Sequence, residues 1–371
     1  MVKKKQKVSI YLPQFYNGGI EKVMMNLAES LIEKGIEIDF VVNNIGFDLV
    51  ASACPPEARI IELKPPNFIS RLPKLIEYLN REKPTVLLSA CHYTNEIAIV
   101  AKYFLKRQTR IIVSVHTAIS LESSNYSFLS SRGLVPLAIK LLYRWADGIV
   151  TVSEGVKKDI INITNLSSKK MTTIYNPVIT PQIFDKAKEP LNHPWFQADE
   201  PPVILTAGRL EEQKNYSMLI QAFAQVKKKV NARLVILGEG SQRSALTSLI
   251  SELGLQNDIL MPGFIKNPYP YIARAKVLVL SSNWEDLGNV LVEAMALGTP
   301  VISTDCPYGP SEILQQGRYG EFIPMNNLEA MIQAMLRVLH GNQKYVDSEW
   351  LKQFTIEESV QNYMAVLGID A

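Results

Sequence analysis

The chain of 371 residues exceeds what one ordinary hydrophobic core holds, so we expect two domains of roughly 150 to 200 residues each. Hydrophobic residues make up 47% and charged residues 20%, which is typical of a globular protein, and no run reaches the roughly 18 apolar residues of a membrane span. Three widely spaced cysteines argue against a disulfide framework, and the apolar segment after the charged N-terminus is too short for a signal peptide. We therefore expect a cytoplasmic protein.

The charge is divided unevenly along the sequence. Residues 1–190 carry 25 Lys and Arg against 17 Asp and Glu, a net charge of +8, whereas residues 191–371 carry 14 against 19, a net charge of −5. Scattered basic residues with few interleaved aromatics, and no recognised binding module, argue against nucleic acid as a partner. Two basic amphipathic segments, residues 71–83 and 133–145, favour an anionic membrane surface and a peripheral location on its inner face, but each is also explained by a helix packed on the core.

Short apolar segments alternate with longer amphipathic ones in both halves of the chain. Continuous Val, Ile and Leu runs separated by helices are typical of parallel strands that are covered on both faces. The sequence thus predicts two doubly wound, Rossmann-like α/β domains that face a central cleft. The predicted strands are KVSIYL, IDFVVN, TVLLSA, RIIVSVH and GIVTVS in the first half, and PVILTAG, ARLVILGEG, KVLVLSS and PVISTD in the second.

A proline-rich connector between Pro177 and Pro202 predicts the domain boundary, because repeated prolines break helices. We place the first domain at residues 1–185 and the second at residues 186–354. A final amphipathic helix, at about residues 355–371, is expected to pack back on the first domain. Ligands of doubly wound sheets bind at the carboxyl ends of the strands, so the chemistry is sought there.

Two features in the first half follow predicted strands. Gly18 and Gly19 come at a strand-to-helix turn, where missing side chains let an anion approach the helix amides, although plain turn glycines are an equal alternative. The G-x-G-x-x-G spacing of a dinucleotide site is absent there, which disfavours a dehydrogenase. His116 ends a strand at the expected inner rim, where it could hydrogen-bond a polar substrate or be a satisfied sheet-edge histidine.

Two cations follow the first strand of the second half. Arg209 ends that strand and Lys214 lies five residues further on, immediately before a helix. A planar guanidinium and an ammonium at one strand-to-helix junction suit a diphosphate, whereas either one alone would most often be solvated.

The stretch NWEDLGNVLVEAMALGTPV, residues 283–301, separates Glu285 and Glu293 by eight positions. We expect a helix to begin near Leu287, Gly288 or Asn289, so that its free amides lie between the two carboxylates and hold phosphate. The carboxylates would then accept hydrogen bonds from a sugar on one side and a ribose on the other. A helix-capping role for Glu285 is the competing explanation.

Together, GRLEEQKNYSMLIQAF, EDLGNVLVEAMALGTPVI, GGIEKV and VTVSEGVKKDI resemble the retaining glycosyltransferases of family 4, which have the GT-B fold. The resemblance spans about residues 8–365 and implies that the first domain binds the acceptor and the second binds the nucleotide sugar. It implies that Arg209 and Lys214 contact the donor diphosphate, Glu293 the ribose and Glu285 the transferred sugar. It further implies that His116 lies near the reaction centre and that Gly18 and Gly19 line the cleft.

The sequence departs from the family pattern at two places. EDLG stands where EGFG is common, so Asp286 and Leu287 are expected to alter the fit around the sugar, and NPVI at 176–179 lacks a carboxylate that the family often has. STDCPYGPSEIL, residues 303–314, is similar to the branch that acts on lipid-linked oligosaccharides, some members of which transfer N-acetylhexosamine.

The resulting prediction is a retaining transferase that moves a sugar from a nucleotide diphosphate sugar, with UDP favoured, to a hydroxyl of a glycan or lipid-linked glycan. No metal or other cofactor is expected, because no D-x-D motif is present. Two alternatives stay open. They are a nucleotide-sugar epimerase or phosphorylase on the same architecture, and a non-catalytic binding module.

Overall fold

The computed structural model describes residues 6–15, 18–45, 54–124 and 133–370. The chain divides into two compact units. Unit 1 comprises Met1–Pro177 and Phe354–Ala371, and unit 2 comprises Val178–Gln353.

Unit 1 is built on a seven-stranded sheet in the order β3-β2-β1-β4-β5-β6-β7, and all its strand pairs are parallel. The strands are β1 (Lys7–Gln14), β2 (Glu37–Asn44), β3 (Arg59–Glu62), β4 (Val86–Ser89), β5 (Arg110–Val115), β6 (Gly148–Thr151) and β7 (Met171–Thr173). Its helices are α1 (Gly19–Glu33), α2 (Arg71–Glu82), α3 (His92–Ala101), α4 (Ile119–Ser124), α5 (Val135–Leu142), α6 (Glu154–Thr164) and, near the C-terminus, α15 (Ile356–Leu367).

Helices cover both faces of this sheet. Apolar residues of α1 and α15 form one core layer with strand residues such as Ile10, and residues of α2, α3, α5 and α6 form another. The C-terminal helix α15 is tied to unit 1 by Arg110, whose Nη1 donates to the carbonyl of Leu367 at 2.7 Å, and by Ser359, whose hydroxyl donates to the carbonyl of Tyr175 at 2.9 Å.

Unit 2 repeats the plan with a six-stranded parallel sheet in the order β10-β9-β8-β11-β12-β13. Its strands are β8 (Val203–Ala207), β9 (Arg233–Leu237), β10 (Ile259–Gly263), β11 (Val277–Leu280), β12 (Val301–Thr304) and β13 (Glu321–Ile323). Its helices are α7 (Pro181–Ala187), α8 (Tyr216–Lys227), α9 (Arg243–Glu252), α10 (Tyr269–Arg274), α11 (Asn289–Ala296), α12 (Gly309–Ile313), α13 (Leu328–Leu339) and α14 (Ser348–Leu351).

The predicted class, two doubly wound parallel α/β domains, is confirmed. In each sheet the strand order reverses once, between β1 and β4 in unit 1 and between β8 and β11 in unit 2. A crevice opens at such a reversal because neighbouring connections run to opposite faces of the sheet, and ligands bind in it. Over the part of the chain that the structure describes, no helix has both the length and the apolar character to cross a bilayer.

Candidate active site

The reversal in unit 2 brings together two charged residues that the sequence singled out. Lys214 follows β8 and Glu285 follows β11, and the ammonium of Lys214 contacts Oε1 of Glu285. The hydroxyl of Ser282 donates to the same carboxylate oxygen at 2.6 Å. The two charged side chains are only 15% and 9% exposed. An ion pair thus lies at the carboxyl edge of the sheet, largely shielded from water.

Three hydrogen bonds to backbone carbonyls fix the spacing between the loop that precedes α8 and the loop that follows β11. Ser281 donates its hydroxyl to the carbonyl of Lys214 at 2.7 Å, and the amide of Asn283 donates to the carbonyl of Gln213 at 2.7 Å. The side-chain amide of Gln213 donates to the carbonyl of Trp284 at 2.8 Å. Because these bonds join residues next to Lys214 and Glu285, the pair is held by its backbone as well as by its charges.

The glycines around Arg209 permit close packing of two strand-end loops. A β-carbon on Gly208 would lie 2.8 Å from the hydroxyl of Tyr216 and 3.3 Å from Cε of Lys214. A β-carbon on Gly238 would lie 1.9 Å from the carbonyl oxygen of Gly208. The loop after β9 therefore packs on the backbone of the loop after β8. Arg209 itself is exposed, and its guanidinium makes no hydrogen bond within the described residues.

The predicted helix start in the 283–301 stretch is confirmed, since α11 begins at Asn289. Gly288 precedes it with a φ of +91°, a left-handed conformation that glycine adopts without strain. Leu287 is only 2% exposed, so the whole residue packs in the interior. Gly309 is required beside it, because a β-carbon there would lie 2.1 Å from the carbonyl oxygen of Leu287. Residues 287–289 thus form a tightly supported backbone turn, whose first helical amides have no intrahelical acceptor.

Glu293 lies within α11 and is half-buried. The hydroxyl of Tyr269, the first residue of α10, donates to its Oε1 at 3.3 Å. Tyr269 is 5% exposed, so this hydrogen bond orients the carboxylate from the protein side.

In unit 1, the glycine turn after β1 is formed by the predicted residues. Gly18 is the residue before α1 and Gly19 begins the helix. A β-carbon on Gly19 would meet no atom within 4 Å, whereas one on Gly18 would lie 2.5 Å from Oε2 of Glu21. The space beside Gly19 is open, and the buried carboxylate of Glu21 already lies against Gly18. A carboxylate therefore already occupies the space beside Gly18.

His116 follows β5 and is 8% exposed. Its Nε2 lies 2.9 Å from the hydroxyl of Ser114, which in turn lies 3.4 Å from the hydroxyl of Tyr363 on α15. Burial lowers the pKa of His116 to about 4, because removal from water disfavours the imidazolium. The ring is therefore neutral at physiological pH. It can hydrogen-bond a ligand but does not supply a positive charge.

Within the described ranges, no group of three or more His, Cys, Asp or Glu side chains is arranged to hold a metal ion. The candidate groups of unit 2 are instead the Lys214–Glu285 pair and, further along the same chain segment, the start of α11 and the carboxylate of Glu293. This combination offers positive potential for a phosphate and acceptors for hydroxyl groups.

Two residues that position the candidate side chains were missed from the sequence. Ser282 hydrogen-bonds Glu285, and its place directly after a strand was a usable signal. Tyr269 hydrogen-bonds Glu293 from another helix, 24 positions away in sequence, and no local pattern indicated it.

Comparison with known proteins agrees with this architecture. The family "Glycosyl transferases group 1" matches residues 188–349, and "Glycosyltransferase Family 4" matches residues 17–181. A relative from Campylobacter jejuni, N-acetylgalactosamine-N,N'-diacetylbacillosaminyl-diphospho-undecaprenol 4-alpha-N-acetylgalactosaminyltransferase, is 30% identical over 350 residues, which cover 91% of each chain.

Among solved structures, the apo lipopolysaccharide outer core galactosyltransferase WaaB is similar with a TM-score of 0.75 and 20% identity, covering 98% of this chain and 99% of that one. HepE from Anabaena, solved in complex with UDP, is similar with a TM-score of 0.78 and 17% identity over the same shares. The two doubly wound units and these likenesses define a glycosyltransferase of the GT-B fold. The chain belongs to glycosyltransferase family 4, and the enzyme class predicted from the sequence is confirmed.

Proposed function

We propose that this glycosyltransferase moves a sugar, with N-acetylhexosamine the favoured class, from a UDP-sugar to a hydroxyl of a glycan or lipid-linked glycan, with retention of configuration. The observation that carries the proposal is the Lys214–Glu285 pair at the reversal of the unit 2 sheet. A cation for phosphate and a carboxylate for a sugar hydroxyl lie in contact there, next to the chain segment that begins α11.

The donor would be held by complementary groups along its length. Arg209, Lys214 and the amides at Gly288 and Asn289 would bind the diphosphate, since cations and helix N-termini favour anions. Glu293 would accept hydrogen bonds from the ribose. Leu287 would support the turn that carries these amides from the interior, because the whole residue is buried.

Glu285 would change partners when the donor binds. In the free protein its Oε1 accepts from Lys214 and Ser282. A diphosphate competes for the Lys214 ammonium, which would leave carboxylate lone pairs for hydroxyls of the transferred sugar. His116 of unit 1 would contribute a neutral hydrogen-bonding group to the donor sugar, and Gly18 and Gly19 would line the approach to the acceptor.

The transfer itself would break the bond between the anomeric carbon and the diphosphate oxygen and form a bond from that carbon to the acceptor oxygen. The acceptor proton would pass to the departing diphosphate, so that the products are UDP and the glycoside. Negative charge grows on the diphosphate during bond breaking, and Arg209, Lys214 and the start of α11 would stabilise it without a metal ion. Attack from the face that the leaving group vacates would retain the configuration.

Two similarities support this choice of substrates. The C. jejuni relative is named for transfer of N-acetylgalactosamine to an undecaprenol-diphosphate-linked sugar, and HepE has been solved with UDP. An acceptor that carries a lipid would bring this enzyme to a membrane surface, which agrees with the basic first half of its sequence.

A donor screen tests the proposal. UDP, GDP and ADP sugars, each as the glucose, galactose and N-acetylated forms, are compared for thermal stabilisation of the protein, because a ligand that binds the native state raises its melting temperature. We expect UDP-sugars to give the largest shift, and transfer from the best donor to undecaprenol-linked glycan to follow. Stabilisation by GDP- or ADP-sugars alone would overturn the choice of nucleotide. Conversion of the donor to its epimer without acceptor would contradict transfer as the activity.

A further inference from the structure

Helix α5 of unit 1 exposes apolar side chains on its outer side, where helices of globular proteins usually carry polar residues. Of its residues VPLAIKLL, all but Lys140 are apolar, yet only Ile139 is buried. Leu137 and Leu141 are 45% and 48% exposed, and Leu134, directly before the helix, is 40% exposed. Their spacing puts these three leucines on one side of the helix, so they form a continuous apolar stripe.

Aromatic side chains extend this stripe beyond the helix end. Trp145 is 43% exposed, and its ring packs edge-on against Tyr103 at 5.5 Å between centroids. Tyr103 and its neighbour Phe104 are 60% and 59% exposed. Aromatic rings of this kind are favoured at the boundary between lipid and water. We refer to Tyr103, Phe104, Leu134, Leu137, Leu141 and Trp145 as the apolar stripe.

Cations border the apolar stripe. Lys106, Arg107 and Arg110 are exposed and, with Lys102, Tyr103 and Trp145, line a surface cavity of about 540 Å³. Arg144 lies over the ring of Trp145 at 5.8 Å. The one acidic residue lining the cavity, Asp147, is paired with Lys102 at 2.6 Å. Cationic side chains therefore remain available beside an exposed apolar surface.

The other basic amphipathic segment differs. Helix α2 buries Leu75, Tyr78 and Leu79, and its exposed Lys74 pairs with Glu77. The basic sequence of residues 71–83 is thus explained by a helix packed on the core, whereas core packing leaves Leu137 and Leu141 of residues 133–145 exposed.

We infer that the apolar stripe and its bordering cations dock the enzyme on an anionic phospholipid surface. The leucines and aromatic rings enter the interfacial region, while Lys106, Arg107, Lys140 and Arg144 meet lipid phosphates. Charge complementarity selects this occupant, because a second copy of the chain would bring the same cations face to face. The biological purpose of this docking rests on the proposed function, in which the acceptor carries a lipid. Vesicle binding itself can be measured without the transfer reaction.

The test is sedimentation with vesicles of phosphatidylcholine that contain about 30% phosphatidylglycerol, and with pure phosphatidylcholine vesicles. We expect the wild-type protein to sediment with the anionic vesicles at low salt and to be released at high salt, because screening weakens surface attraction. The Lys106→Glu, Arg107→Glu double variant should bind these vesicles at least roughly tenfold more weakly, since each basic residue near an anionic surface contributes about a fivefold factor. The Leu137→Gln, Leu141→Gln double variant should also weaken binding, because it removes apolar contacts with the lipid. Glutamine is a good helix former, so the helix itself should be kept.

Matched controls change the same residue types on unit 2. Lys228→Glu with Lys229→Glu, and Leu253→Gln with Leu328→Gln, alter exposed positions there and should bind as the wild type does. Equal wild-type binding to both vesicle types, no binding to either, or equal loss in the controls would overturn the inference. A wild-type dimer that the leucine variant converts to a monomer without vesicles would assign the stripe to self-association and would also overturn it.

Thermal stabilisation by UDP, measured on every variant, separates this inference from the proposed function. Loss of vesicle binding with UDP stabilisation intact locates the defect in docking. Vesicle binding through the stripe with no response to any nucleotide sugar would leave docking in place and refute the proposed donor site.

Discussion

The ammonium of Lys214 contacts the carboxylate of Glu285, although the two residues are 71 positions apart in the sequence. The pair lies beside the crevice where the unit 2 sheet reverses its strand order. Since both side chains are largely buried, each depends on the other for charge compensation. A bound donor would separate the pair, because its diphosphate would bind Lys214 and its sugar would bind Glu285.

Lys214→Ala and Glu285→Ala should each lower transfer by 10²-fold or more, because an electrostatic contact to developing charge or to the reacting sugar is worth about 3 kcal/mol. Each single variant should also unfold more easily, since it leaves one buried charge unpaired, while circular dichroism still reports the native fold. Turnover with the proposed donor and acceptor is the measurement. Glu212→Gln, an exposed carboxylate two positions before Lys214, is the control and should change neither property. Near-normal turnover in both alanine variants would remove the pair from the site.

Tyr269→Phe should raise KM for the donor roughly two- to tenfold and leave kcat close to the wild-type value. The variant removes the hydroxyl that donates to Glu293, and a typical hydrogen bond contributes about 0.5–1.5 kcal/mol, which is roughly a two- to tenfold factor in binding. The matched control is Tyr271→Phe in the same helix, whose ring packs on Phe196. Equal effects of the two variants would mean that the hydrogen bond from Tyr269 to Glu293 does not orient the ribose contact.

The central strands of both sheets could be predicted from the sequence. Central strands such as β1 and β8 are covered on both faces and therefore carry continuous apolar runs, which predicted them correctly. The edge strands β3, β7, β10 and β13 were missed, because β3 is half-exposed, β10 contains Pro262, and β7 and β13 are only three residues long.

Candidate site residues were found where a motif is local, as at Gly288 and Asn289, where the predicted helix start is correct. Contacts between distant parts of the chain were not found, because no local pattern reports them. The hydrogen bond from Tyr269 to Glu293 is one example. The burial of Leu287 was likewise invisible, since a leucine after a strand is compatible with either a pocket wall or the interior. The functional roles of the site residues stay predictions.

Gly309→Ala should weaken donor binding by displacing the turn that begins α11. A β-carbon at residue 309 would lie 2.1 Å from the carbonyl oxygen of Leu287, which is backbone and has no flexible end to move aside. We expect a loss of roughly 1–3 kcal/mol in the free energy of unfolding and a smaller UDP-induced thermal shift. Gly19→Ala, whose β-carbon would meet open space, should keep the stability of the wild type. An unchanged UDP response in Gly309→Ala would separate this turn from the donor site.

The stability of the protein should fall as the pH is lowered from about 6.5 to about 4, with a contribution from His116. In the unfolded chain this histidine takes up a proton near pH 6.5, whereas in the folded protein its pKa is lowered to about 4 by burial. Over this window the unfolded state binds more protons, so acid favours unfolding by up to about 3 kcal/mol. His116→Gln should flatten this part of the pH profile in denaturant titrations. For the same reason, kcat/KM should show no ionisation of His116 between pH 5.5 and 8, and a His116-dependent step near 6.5 would contradict its burial.

Glu96 should give the stability of the protein the opposite dependence on pH, at neutral and weakly alkaline pH. One of its carboxylate oxygens is buried without a hydrogen-bond partner among the described residues, and burial raises its pKa to about 8. Between about pH 4.5 and 8 the unfolded chain releases this proton while the folded protein retains it, so stability declines as the pH rises through the window. Glu96→Gln removes the titration, and we expect it to stabilise the protein by roughly 2–4 kcal/mol at pH 8 and far less at pH 5, measured by thermal unfolding. The exposed Glu77→Gln on α2 is the control and should give the same small change at both pH values. A Glu96→Gln effect independent of pH would show that the folded protein holds this carboxylate ionised.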